Sequence, residues 1–112
     1  MRIYKIFRSH EWETLQRDGM TLGAPVDVAD GYIHFSTAET VRETAAKHFA
    51  GEDDLILAWA DSDSFGDDLK FEESRGGALF PHLYRSLRAD EIAGHAALPL
   101  VAGVHQFPET LP

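Results

Sequence analysis

The sequence predicts a single α+β domain, and three observations support that class. The chain has 112 residues, which suits one core rather than two. Hydrophobic residues make up 44% and aromatics 11%, enough for a packed interior. Apolar periodicity yields the order β-α-loop-β-α-β-β-β-α-β, with helices early and strands clustered late, unlike regular βαβ alternation.

Residues 2–7 form the first predicted strand, since Ile3, Tyr4, Ile6 and Phe7 favour extended backbone and nothing interrupts them. Ser9 is placed to cap a helix with Glu11 and Glu13 in its first turn, Trp12 and Leu15 on one face, and Gly19 as its stop. Residues 20–31 read as loop, with Gly23, Pro25 and the Asp30-Gly31 turn signal. Residues 32–36 alternate, and Ser36-Thr37-Ala38-Glu39 is a capping-box pattern that opens a helix reaching about Phe49. Val41, Ala45, His48 and Phe49 are its expected buried side, and Gly51 ends it.

The apolar run 55–60 predicts a central strand buried on both faces. An acidic loop follows over 61–68, then a strand over 69–73, a turn at Arg75-Gly76-Gly77, and a strand over 80–85. Pro81 lacks an N–H, which predicts an edge strand or one that begins near there, and an exposed edge permits a dimer without requiring one. Residues 89–97 read as a short helix weakened by Gly94, and 101–107 as a last strand.

Several function classes are disfavoured. Ten Lys and Arg against 19 Asp and Glu give a net charge of −9, which repels phosphate backbones, so no nucleic-acid partner is expected. A local basic pocket for one small anion is compatible with that charge. There are no cysteines, hence no disulfide scaffold or thiolate chemistry. The six histidines (His10, His34, His48, His82, His95, His105) form no H-x-x-x-H pair, so no metal is expected. No apolar run has the length of a membrane span and the N-terminus lacks signal-peptide features, so a cytoplasmic protein with no membrane partner is expected.

Two segments stand out. Alternation puts Tyr32, His34 and Ser36 opposite Ile33 and Phe35, next to a predicted helix N-terminus at Thr37 whose free N–H groups suit a phosphate or a ribose hydroxyl. The blander alternative makes Ser36 a cap and His34 a half-buried residue. In Phe80-Pro81-His82-Leu83-Tyr84, His82 and Tyr84 share a face opposite Leu83. Lys5 shares a strand face with Ile3 and Phe7, and either snorkels to water or points into an anion-binding cleft. Of Glu72 and Glu73, one shares a face with Lys70; such a carboxylate is either solvated or turned toward a cleft.

The stretches I-Y-K-I, D-G-Y-I-H-F-S-T-A-E-T-V and F-P-H-L-Y span most of the chain and resemble the bacterial family catalogued as domain of unknown function 952. That family is grouped by fold with ADP-ribosyltransferases. The resemblance implies a split β-sheet holding NAD, as substrate, in a central cleft. It places the NAD-anchoring position near Lys5, a cation where the family typically has histidine. The ribose-contacting position falls on His34 with Ser36, and the third on Glu72 or His82. His34, His82 and Glu72 are the implied catalytic residues, and Lys5, Tyr32, Ser36, Thr37 and Tyr84 the implied binding residues. ADP-ribosyl transfer or NAD-glycohydrolase-like activity is one expectation. The alternative is a non-catalytic domain that binds a nucleotide or phosphorylated metabolite, or a protein partner.

Overall fold

Strand β1 (Arg2–Arg8) pairs antiparallel with β4 (Leu55–Asp61), in register from Arg2↔Asp61 to Arg8↔Leu55. The computed structural model describes residues 1–111 and, at Arg75, the main chain alone. The apolar run of β4 is central, as its composition predicts, with β8 (Gly94–Leu98) on its other side. A second sheet has the order β3 (Ile33–His34), β6 (Leu79–Leu83), β5 (Leu69–Glu73). One antiparallel bridge, Tyr4↔Ser36, ties the two sheets together. The strands thus run β8-β4-β1, then across that bridge β3-β6-β5, all antiparallel.

Period-two alternation in β1 feeds two cores. Ile3 and Phe7 pack with Leu15, Ile33, Phe35 and Leu83 on one face, where helix α1 (Ser9–Asp18) lies. Tyr4 and Ile6 pack with Val41, Ala45, Leu57 and Leu98 on the other, beneath helix α3 (Val41–His48). Each fully buried Ile, Leu or Phe contributes roughly 1.5–3 kcal/mol of transfer free energy, so both faces of β1 and β4 are strongly specified. The result is an α+β fold of antiparallel sheets with few helices. No helix among the described residues is long and apolar enough to cross a membrane.

Several local expectations give way to tertiary contacts. Ser9 does not cap α1: its hydroxyl donates to the Asp54 carbonyl at 2.7 Å, while the Arg8 N–H is taken by Glu11 Oε1 at 2.9 Å. Residues 20–31 are not a loop throughout. They hold β2 (Met20–Thr21), paired with β7 (Leu87–Arg88), and a one-and-a-half-turn helix α2 (Pro25–Asp30). Helix α3 starts later than the capping-box pattern predicts, because Thr37 and Thr40 first close a turn with the Thr37 N–H on Thr40 Oγ1 at 3.0 Å. Within α3, Val41 and Ala45 are buried and His48 is exposed.

Pro81 sits in a central strand, not an edge. Its carbonyl accepts the Phe35 N–H at 2.9 Å, so its ring nitrogen also faces the β3 side, where regular pairing is ending. Residues 89–97 are a short 3-10 turn (Ala89–Glu91) followed by β8, not one helix. Gly94 is there because Trp59 covers it: a Cβ would lie 2.6 Å from the indole. The last predicted strand is a small hairpin, β9 (Leu100–Val101) with β10 (Val104–His105).

Candidate functional site

The site begins with a missing rung. In an antiparallel ladder, residues that exchange both main-chain hydrogen bonds recur at every second position. Tyr4 and Ser36 exchange both, at 2.8 and 2.7 Å. The next rung would join Ile6 to His34, but His34 bonds elsewhere: its N–H donates to Asp27 Oδ1 at 3.1 Å, and its carbonyl accepts Lys5 Nζ at 3.1 Å. Lys5 Nζ also donates to Asp27 Oδ2 at 3.0 Å. An ion pair therefore wedges the sheets apart just past their bridge. Alternation turns the Ile6 N–H and C=O toward this split, and neither meets a main-chain partner there among the described residues.

The split opens into a cleft of about 450 Å3, within the usual range for small-molecule sites. Lys5, Ile6, Asp27, His34, Ser36 and His82 are among its lining residues, with Tyr4, Phe35, Phe49 and Phe80 supplying apolar wall. Lys5, His34 and His82 thus share one concavity. Ser36 is buried, its hydroxyl 3.0 Å from that of Thr44 in the first turn of α3. Thr37 is buried in its turn with Thr40, and Tyr32, Glu72 and Tyr84 stand around His82 rather than on the cleft wall. Another hollow, of about 500 Å3, lies between α3 and the C-terminal segment beneath Arg42 and Phe107, and gathers none of these residues.

Asp27 is the organising group that the sequence reading missed. It is 1% exposed and also accepts the Ala24 N–H at 2.8 Å and His34 Nδ1 at 2.6 Å. Burial would push its carboxyl up. The His34 hydrogen bonds and the Lys5 ammonium outweigh that and hold it at about 2. Two signals for it existed: Pro25 followed by an acid two residues on is a helix-start pattern, and a lysine on an apolar strand face needs an anion.

The two histidines differ in how their nitrogens are used. His34 Nδ1 meets Asp27, and its Nε2 lies 3.0 Å from Asp30 Oδ2. A ring protonated on both nitrogens satisfies both carboxylates. His82 faces His34 across the β3–β6 pair, with ring centres 5.3 Å apart. It is 4% exposed, and its Nδ1 is 2.9 Å from Glu72 Oε1. The Tyr84 hydroxyl donates to the same oxygen at 2.5 Å. That bond holds the Tyr84 phenol up at about 12, and the bonds from Tyr84 and His82 hold the Glu72 carboxyl below its ordinary value. Tyr32 stacks on His82 with ring centres 4.2 Å apart.

Fold and site together define an α+β protein with a split antiparallel sheet and a histidine-bearing cleft. Residues 6–95 match the family described as "Protein of unknown function (DUF952)", and the chain belongs to that family. It is similar to protein CC0527 from Caulobacter crescentus. The crystal structure of that protein superimposes with a TM-score of 0.91 at 48% identity, covering 95% of this chain and 94% of that one. Its solution NMR structure gives a TM-score of 0.84 at 48% identity, covering 94% and 91%. No curated protein matches.

Proposed function

We propose that the cleft holds an NAD or ADP-ribose-type nucleotide, and that the domain has ADP-ribosyl-transfer or NAD-glycohydrolase-like activity on an ADP-ribosyltransferase-like split sheet. The observation that carries this reading is the missing rung at Ile6. A carboxamide is flat, with an N–H donor beside a C=O acceptor, and it complements a main-chain N–H and C=O offered side by side. Aromatic side chains on the cleft wall suit the planar, cationic nicotinamide ring. Ser36 and His82, among the lining residues, supply polar groups that suit ribose hydroxyls. Lys5 acts in this reading through Asp27 and His34, keeping the rung open, rather than by reaching for a phosphate.

Calorimetry with NAD, ADP-ribose and AMP tests it. NAD is expected to bind and to release nicotinamide over hours. A His34→Ala variant is expected to bind NAD at least about tenfold more weakly, because it removes the ring that holds Asp27 and Asp30 on the cleft wall. Absence of binding by all three compounds sinks the nucleotide reading. Binding without nicotinamide release favours the non-catalytic alternative.

A further inference from the structure

We propose that His82 is the general base of this cleft, that Glu72 and Tyr84 are its positioning residues, and that the acceptor it activates is water. The inference rests on the nucleotide reading above and adds to it a base, an acceptor and a proton path.

The geometry separates His82 from His34. His34 has a carboxylate on each ring nitrogen, so neither nitrogen is left to take a proton from another molecule. His82 has its Nδ1 on Glu72, and no hydrogen-bond partner for Nε2 occurs among the described residues. Glu72 is an acceptor when ionised, which places the mobile proton of the neutral ring on Nδ1 and leaves the lone pair on Nε2. Tyr84 donates to the same carboxylate oxygen and fixes it. Tyr32 lies over one face of the imidazole and His34 meets it edge-on, so the ring cannot swing away. A buried cleft-lining imidazole with one nitrogen oriented by a carboxylate and the other without a partner among the described residues has the arrangement that general-base catalysis requires.

In the proposed step, the bond between nicotinamide and ribose breaks with its electron pair going to the nicotinamide nitrogen, which leaves neutral. The water oxygen bonds to the ribose carbon, and the water's proton passes to His82 Nε2. The imidazolium later returns that proton to solvent. The products are ADP-ribose, nicotinamide and one proton, with no oxidant or reductant involved.

The test uses the full chain with NAD. Nitrogen-15 NMR of the histidine rings is expected to show neutral His82 protonated at Nδ1, and Glu72→Ala is expected to shift it toward the Nε2–H form. At saturating NAD, His82→Asn is expected to slow nicotinamide release about 100-fold or more. Glu72→Ala, a change at a partly exposed position, is expected to slow it about tenfold with NAD affinity within about twofold of the parent. Parent His82 protonated at Nε2, or His82→Asn releasing nicotinamide at the parent rate, overturns this proposal alone. Bound NAD that releases no nicotinamide overturns it together with the proposed activity and leaves the nucleotide-binding reading standing. Failure of the parent to bind NAD overturns the nucleotide reading and the assigned acceptor with it.

Discussion

Lys5 Nζ stands 3.0 Å from Asp27 Oδ2, the two side chains 8% and 1% exposed, and this buried pair holds open the place of a β-ladder rung. Charge inside a core is costly unless each charge is met, and here each is met more than once. Lys5 reaches Asp27 and the His34 carbonyl; Asp27 collects Lys5, two groups of His34 and the Ala24 N–H. The arrangement trades regular sheet for a cleft.

Removing one partner strands the other. Asp27→Ala is expected to destabilise the fold by about 3–5 kcal/mol, because it leaves the Lys5 ammonium buried without its counter-charge. The double variant Lys5→Met with Asp27→Ala is expected to lose less than the sum of the singles, since no orphan charge remains. Urea unfolding measures both. A loss under about 1 kcal/mol for Asp27→Ala contradicts the wedge.

Acid stability follows from the same carboxylate. The Asp27 pKa lies at about 2 in the folded chain, below its ordinary 3.8. A depressed folded value contributes stability that is fully present above about pH 4 and is lost as pH falls toward about 2. The contribution is about 2 kcal/mol. Other acids titrate in this window, so the comparison is between the parent and Asp27→Asn. The difference in unfolding free energy between them is expected to shrink by that amount from about pH 5 to about pH 2.

Tyr84 supplies a spectroscopic handle on the His82 relay. Its phenol is held at about 12 because its hydroxyl donates a hydrogen bond to Glu72 that ionisation would break. The ultraviolet titration of Tyr84, taken as the difference between the parent and Tyr84→Phe, is expected to come late, and Glu72→Ala is expected to return it toward 10. An unchanged late transition in the variant means that Glu72 is not the cause.

Gly23 tests how tightly Asp27 is seated. It has φ +95°, and an added Cβ would overlap the Asp27 side chain. Gly23→Ala therefore meets backbone strain and a collision at the wedge together. A loss of about 2 kcal/mol or more is expected in the same urea assay, with NAD binding weakened alongside. Gly103, at φ +80° with open space around it, is the control: Gly103→Ala meets the backbone strain without the collision, and a smaller loss is expected.

What the sequence determined by itself is the part governed by near-neighbour pattern. Unbroken β-branched and aromatic residues placed β1, the unbroken apolar run placed β4 at the centre, and the polar strand faces picked out His34 and His82. Tertiary structure decided the rest, because it turned on groups distant in the chain. Residues 94–98 become strand because the edge of β4 offers them a ladder, and Pro81 is tolerated centrally because its missing N–H faces the side where pairing ends. Asp27 carries no periodic signal of its own. It matters because the fold brings together Lys5, 22 residues away, and His34, seven away, around one carboxylate. Only there does the low-polarity interior make an ion pair strong enough to displace two main-chain hydrogen bonds and leave a cleft.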